Sequence, residues 1–301
     1  MPIGAQRPQV TSLLTNAALD RLERLRINAS RRFTNRSRGE HLAGKGGASI
    51  EFADYRDYVA GDDIRFVDWN IFARLNRPYM KLYHMEEEMH IVVLVDASSS
   101  MRFEHKLDRA KSLAAAFCVM ALLGDERLSV YVCNGADQML GRLSPCTGRA
   151  NMLRAFRFIE AIEAGGDAPV ELAMENMLKL HTGRGAAVLL SDFLTFGQVD
   201  RALNLVFSSG LEPFGLQILG PGEIDPDISG DLRLVDCETG TTLDVTSAYD
   251  LLSLYQDYRL SYEGQLATLC RQRSGRFAAV SSEAPVEWML FDLLRRRGWV
   301  Q

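Results

Sequence analysis

The chain has 301 residues, 47% of them apolar and 24% charged, and a formal net charge of −5. That length and balance suit one large α/β domain with an appendage, or two modest domains, and exclude global disorder. Five scattered cysteines (Cys118, Cys133, Cys146, Cys237 and Cys270) without C-x-x-C spacing argue against a zinc site or a disulfide framework, so reduced thiols in a cytoplasmic protein are expected.

Residues 1–50 hold nine Lys/Arg against three Asp/Glu, a local +6 that leaves −11 for the rest. From Thr11 to Arg32 the residues Leu13, Leu14, Leu19, Leu22, Leu25 and Ile27 recur at helical spacing with arginines between them, which predicts a basic helical arm over 1–38. Such an arm suits an acidic partner, a lipid headgroup or nucleic acid. It equally suits a solvated helix packed on its own acidic domain, and no nucleic-acid partner is expected. Residues 39–89 form a second segment. A glycine-rich link from Gly39 to Gly47 leads into paired charges and aromatics around Gly61-Asp62-Asp63, which read as short strands and turns.

Residues 90–301 have the regularity of a main domain. Ile91–Val95 is a continuous Val/Ile/Leu run, the mark of a strand buried on both faces, and it ends in Asp96-Ala-Ser98-Ser-Ser100. A helix from about His105 to Leu123 follows, then strand candidates Leu128–Cys133 and Gln138–Leu143. Helical periodicity marks Arg149–Ile162 and Val170–Leu180, separated by Gly165-Gly166-Asp167-Ala168-Pro169. Ala186–Leu190 is a second buried strand, ending in Ser191-Asp192; a helix over Gly197–Phe207 and a strand over Phe214–Leu219 come next. Strands alternating with helices predict a doubly wound, mostly parallel α/β sheet of Rossmann type, with the N-terminal helical and irregular β segments as an appendage. The tail adds a hairpin (Leu232–Val235 with Thr241–Val245), a long helix Ser247–Arg273, a strand Arg276–Val280 and a last helix Pro285–Arg297. The longest apolar stretch, Leu113–Leu123, falls short of the ~20 residues a bilayer span needs, and the N-terminus lacks an apolar signal core.

In open α/β sheets ligands bind at the carboxyl ends of strands. Two acidic tips stand there: Asp96-x-Ser98-x-Ser100, and Asp192. One carboxylate and two hydroxyls aimed at a point are hard oxygen donors, suited to Mg²⁺ or Mn²⁺ and not to zinc. Hydroxyls leave much of the ion's charge uncancelled, so a partner's carboxylate can complete the coordination. The plainer alternative is that the same residues cap the following helix.

This pattern resembles the metal-ion-dependent adhesion site (MIDAS) of von Willebrand factor A domains, whose motif is D-x-S-x-S, then a Thr, then an Asp. Asp96, Ser98 and Ser100 match the first part and Asp192 the last; Asp167 stands where the resemblance places the threonine. A further carboxylate there would neutralise more of the ion's charge and tune the site toward Ca²⁺ or Mn²⁺, or else turn outward and leave the site incomplete. Upstream, Glu51-Phe52-x-Asp54-Tyr55-Arg56-x-Tyr58-x-x-Gly61-Asp62-Asp63-x-Arg65-x-x-Asp68-Trp69, followed by Ala73-Arg74, resembles the signature block of the domain-of-unknown-function 58 family, and Val235-Asp236-x-Glu238-Thr239-Gly240 resembles its tail. The resemblance covers about residues 39–300. It implies an adhesion-site domain over 90–301 and a collaborating MoxR-type AAA+ ATPase, with which such proteins are thought to assemble or activate others. Many members carry two transmembrane helices before the block, and this chain resembles the short soluble branch.

Within the block, Asp54, Arg56, Asp62, Asp63, Arg65, Asp68 and Arg74 balance four acids against three arginines. They read as an ion-pair network locking an irregular segment, or as a partner-binding patch. Trp69 reads as a core anchor. Gly39-x-x-x-x-Gly44-Lys45 imitates a phosphate loop, but Gly46 replaces the Ser/Thr and no buried strand precedes it. Aspartyl phosphotransferases need a second Asp at position 98, and no G-x-S-x-G elbow exists. His41, His84, His90, His105 and His181 show no ligand spacing, and Glu86-Glu87-Glu88 reads as a solvated edge. The expected function is a non-enzymatic, metal-dependent protein-binding module. The alternatives are a Mg²⁺-dependent hydrolase or phosphotransferase using the same residues, or a scaffold whose metal site has decayed.

Overall fold

The computed structural model describes residues 8–29, 34–36, 50–86, 89–134, 141–195, 197–226, 232–235, 240–245 and 248–301. The imitation phosphate loop, His41, Cys237 and most of the tail motif lie outside them. The chain divides into two compact units: residues 1–30 with 90–301, and residues 31–89.

The smaller unit is an antiparallel sheet of β1 (Thr34–Arg36), β2 (Ile50–Asp57) and β3 (Tyr79–Glu86) in the order β1-β3-β2, with a bulge between Phe52 and Asp54. Between β2 and β3 lie a 3₁₀ turn (Ile64–Phe66) and α1, a two-turn helix over Trp69–Leu75. Aspartates start both: the Asp63 carboxylate accepts from Arg65 N–H, and that of Asp68 from Asn70 and Ile71 N–H.

The larger unit begins with α2 (Asn16–Leu22), capped by Thr15. The helix expected to run to Arg32 stops here, because the segment after it finds another partner. Arg26 exchanges backbone hydrogen bonds with Gln301, and Asn28 N–H donates to Trp299 C=O, so residues 26–28 are extended beside 299–301. Residues 11–28 also meet their own unit through side chains. Glu160 accepts from Thr11 and Ser12, Glu23 pairs with Arg149, and the Arg21 guanidinium lies 3.5 Å over the Phe291 ring.

Six strands follow in the main sheet: β4 (His90–Asp96), β5 (Arg127–Cys133), β6 (Gly141–Cys146), β7 (Gly185–Ser191), β8 (Leu211–Leu219) and, past a hairpin of β9 (Leu232–Val235) and β10 (Thr242–Val245), β11 (Arg276–Ser281). The order is β11-β8-β7-β4-β5-β6, parallel throughout except for β6. The doubly wound, mostly parallel α/β architecture read from the sequence is therefore the one observed. Central strands β4 and β7 are buried nearly from end to end, as their unbroken Val/Ile/Leu/Ala composition requires.

Helix α3 (Lys106–Leu123) packs on β4, β5, β7 and β8, with α2, α4 (Met152–Glu160) and the short α8 (Val286–Trp288) against it. The other layer holds α5 (Val170–Leu180), α6 (Val199–Ser208) and, after a four-residue turn at Pro221–Ile224, the long α7 (Ala248–Gln272). Val92, Leu94, Ala187 and Leu189 face this layer and pack with Met174, Met177, Leu203, Val206 and Leu266. Among the described residues no helix is long and apolar enough to cross a membrane.

Candidate functional site

The chain goes from β4 outward to β5 on one side and returns to β7 on the other, so the winding reverses between β4 and β7. Such a reversal parts the connecting loops and opens a crevice at the carboxyl ends of the strands. Val95 pairs with Leu190, which puts Asp96 beside Ser191 and Asp192 at that crevice.

Asp96 and Asp192 are each only 3% exposed. Asp96 Oδ1 accepts from Ser98 N–H (2.9 Å) and Oδ2 from the Ser191 hydroxyl (2.6 Å), which itself accepts from Phe193 N–H. Burial pushes the Asp96 carboxyl up from 3.8 to about 6 and the negative Asp192 adds to this, against the bonds from Ser191 and Ser98. Ser98 Oγ and Ser100 Oγ lie 3.0 Å apart, Ser98 buried and Ser100 half-buried. Asp167 is exposed, on a loop whose backbone is tied to the Asp96–Ser100 segment: Gly165 N–H donates to Ala97 C=O and Ser99 N–H to Gly166 C=O. Arg102 secures the same loop by donating to Ala164 C=O. All five sequence candidates thus lie at this end of the sheet, Asp96 as the last residue of β4 and the others on the segments beyond the strands, with Asp167 turned to solvent.

The sequence reading missed Lys106. It is fully buried, and its ammonium donates to Asp192 Oδ2 (2.7 Å) and to Glu223 Oε1 (2.6 Å) from the turn after β8. Desolvation alone would lower its pKa, but the two carboxylates outweigh it and hold Lys106 raised and charged. Burial pushes Glu223 up against the pull of Lys106. A lysine in the first turn of a helix opposes the helix dipole, and that was the available signal. Backbone strain delivers it: Glu104 (φ 44°) and His105 (φ 57°) are consecutive left-handed non-glycines that end the 3₁₀ segment Ser99–His105 just before α3. Phe193, next to Asp192, is left-handed as well (φ 54°).

Asp96, Asp192, Glu223 and Lys106 together carry −2 when ionised, the complement of a divalent cation. Among the described residues no group of three or more His, Cys, Asp or Glu side chains is placed to hold a metal. An ion at this crevice would therefore depend on hydroxyl oxygens. The serine pair fits one: cis ligands of an octahedron with bonds of about 2.1 Å stand about 3.0 Å apart.

The signature block is held mostly by its own charges. Arg56 makes a two-pronged bond to Asp62 (2.6 and 2.7 Å), and Arg65 pairs with Asp63. Asp68 takes Tyr55 OH and Lys81, and the Asp54 carboxylate accepts from Tyr55 N–H. Arg74 is exposed in the last turn of α1, and Tyr58 is half-buried just past the end of β2. Trp69 is no core anchor. It is 58% exposed and meets Phe72 edge-on, because its place at the start of a short surface helix points it away from the sheet. His90 and His181, which show no ligand spacing along the chain, come together edge-to-face at 5.3 Å at the opposite end of the main sheet.

The profile of the family described as "Protein of unknown function DUF58" matches residues 54–263. Uncharacterised proteins of Mycobacterium bovis and Mycobacterium tuberculosis are each 30% identical to this chain over 227 residues, covering 73% of it and 70% of their own length. Similar solved structures include the conserved hypothetical protein BatB from Bacteroides thetaiotaomicron, with TM-score 0.40 and 15% identity over 64% of this chain and 90% of that one. A von Willebrand factor type A structure from Catenulispora acidiphila has TM-score 0.35 and 15% identity over 46% and 35%.

Proposed function

The chain belongs to the DUF58 family, and from that premise we propose that it is a non-enzymatic protein-interaction module whose crevice grips a divalent ion, Mg²⁺ before Mn²⁺ or Ca²⁺. Asp96, Ser98 and Ser100 would hold the ion, with Asp192 and Asp167 close by and one position left for a carboxylate of the partner protein. The observation that carries this reading is the 3.0 Å hydroxyl pair beside a buried carboxylate at the winding reversal. Two hydroxyls and one carboxylate leave an ion short of negative charge, which makes a partner's Asp or Glu a strong final ligand. A MoxR-type AAA+ ATPase is the collaborator we infer, acting with this chain in assembly or activation of a client in the cytoplasm.

The test is calorimetric Mg²⁺ titration of wild type and Asp96→Ala, alongside turnover of generic phosphate esters. Ion binding lost in the variant, without turnover, supports the module. Turnover abolished by Asp96→Ala would transfer the site to a hydrolase or phosphotransferase. The Lys106 ammonium on Asp192 favours one other reading, a scaffold that holds its crevice together without a metal; absence of ion binding in both wild type and Lys106→Met would establish it.

A further inference from the structure

The crevice contains a cation of its own, and that cation is wired to a second element. Lys106 Nζ is shared between Asp192 and Glu223. Glu223 sits in the Pro221–Ile224 turn, where its Oε2 accepts from Gly220 N–H (2.8 Å) and its C=O from Tyr255 OH of α7 (2.6 Å). The same turn is held from the other side, because Gly222 N–H donates to Glu104 Oε2 (2.8 Å), two residues before Lys106. Gly220 permits this approach: a Cβ there would collide with Glu104 Oε2. Lys106, Glu104, the turn and α7 are thus one connected set of polar contacts rooted at the crevice.

An ion held by Asp96, Ser98 and Ser100 would draw on the negative charge of Asp192, the group that now satisfies Lys106. Two cations cannot each keep the full share of one carboxylate, and their mutual repulsion is strong where water is excluded. We propose that Lys106 is a built-in counter-cation that positions Asp192 in the ion-free state and shifts its load onto Glu223 when a divalent ion enters, so that occupancy is read out in the Gly220–Asp225 turn and at Tyr255 of α7. The inference rests on the ion-binding reading above. It makes Lys106 a positioning residue, and it predicts that the ammonium weakens ion binding.

The experiment uses the full chain and Mg²⁺ alone. Calorimetry should show Lys106→Met binding Mg²⁺ about tenfold or more tightly than wild type, equivalent to about 1.4 kcal/mol. Hydrogen–deuterium exchange over 220–225 should change in wild type on adding Mg²⁺. Glu223→Gln should bind the ion yet lose most of that exchange response. If Lys106→Met fails to fold by circular dichroism, Lys106→Met/Glu223→Gln removes one stranded carboxylate and takes its place. Wild type that binds Mg²⁺, with a folded Lys106 variant binding no tighter and no exchange change at the turn, overturns this inference and leaves the ion site standing. Mg²⁺ binding by neither wild type nor variants overturns the ion site and the inference together. Binding by Lys106→Met where wild type shows none supports the counter-cation.

Discussion

Replacing Asp96 with asparagine should make the metal-free protein more stable above neutral pH, although it deletes a residue at the centre of the site. The carboxyl is raised from 3.8 to about 6 while being almost wholly buried. At about 1.4 kcal/mol for each tenfold change in proton affinity, the folded state bears about 3 kcal/mol to keep Asp96 ionised. The sign follows from the direction of the shift. The contribution is fully favourable below pH 3.8, where both states are protonated, and is lost as pH rises through about 6. The asparagine side chain would keep the same shape: its amide oxygen accepts from Ser98 N–H, and its NH₂ donates to a reoriented Ser191 hydroxyl. Leaving the reoriented Ser191 O–H without that acceptor takes back part of the gain, leaving about 1–2 kcal/mol. Urea unfolding in EDTA from pH 4 to 8.5 measures it, provided the m-value is unchanged. The variant's advantage should build from about pH 4, as the unfolded carboxyl ionises, and be complete above about pH 6. Added Mg²⁺ should stabilise wild type alone, by RT ln(1 + [Mg²⁺]/Kd). Asp96→Asn less stable than wild type at pH 8 in EDTA would refute the reasoning.

Lys106→Met should cost about 3–5 kcal/mol at pH 7.5, because it strands Asp192 and Glu223 in a dry crevice; a double-mutant cycle with Asp192→Asn should return a coupling above about 1 kcal/mol, and additive losses would count against the bridge. His181 is pushed down to about 4 by burial, by His90 and by Arg127, while its hydrogen bond with the Gly183 backbone pulls the other way. Stability should be full above pH 6.5 and drain away as pH falls toward 4, by about 1–2 kcal/mol after allowance for partial exposure. His181→Gln should flatten that acid limb, and an unchanged slope would exclude the pair as its source. Gly183→Ala should destabilise by more than about 1 kcal/mol in thermal melts, since φ is +132° and the new Cβ would collide with the His90 ring; Trp69→Ala should shift stability by less than about 0.5 kcal/mol.

The sheet was legible because its strands are extreme. Ile91–Val95 and Ala186–Leu190 are apolar on both faces, and only a layer of helices on each side tolerates that. Asp96 and Asp192 were legible because polar residues ending such strands must lie on the loops beyond. Lys106 was not. Its burial depends on carboxylates 86 and 117 positions away, and no local pattern encodes which loop will supply them. The meeting of His90 with His181 was hidden for a similar reason. It follows from β7 pairing beside β4, with His90 opposite Gly185, a neighbourhood set by the winding order. The overlong N-terminal helix failed by competition. Leu25 and Ile27 keep helical spacing, yet the backbone of residues 299–301 offers residues 26–28 bonds that only an extended chain can make.

That last pairing bears on how the molecule is born. A ribosome releases residues 26–28 long before 299–301, so this seam stays open while all the residues between them are made, and until it closes the side chain of Trp299 lacks its finished pocket against Phe117 and Phe214. The larger unit is therefore committed to late closure: residues 26–28 must wait, unzipped, for residues 299–301. Deleting residues 299–301 would leave a nascent-like edge permanently open, the kind of surface that quality-control proteases recognise.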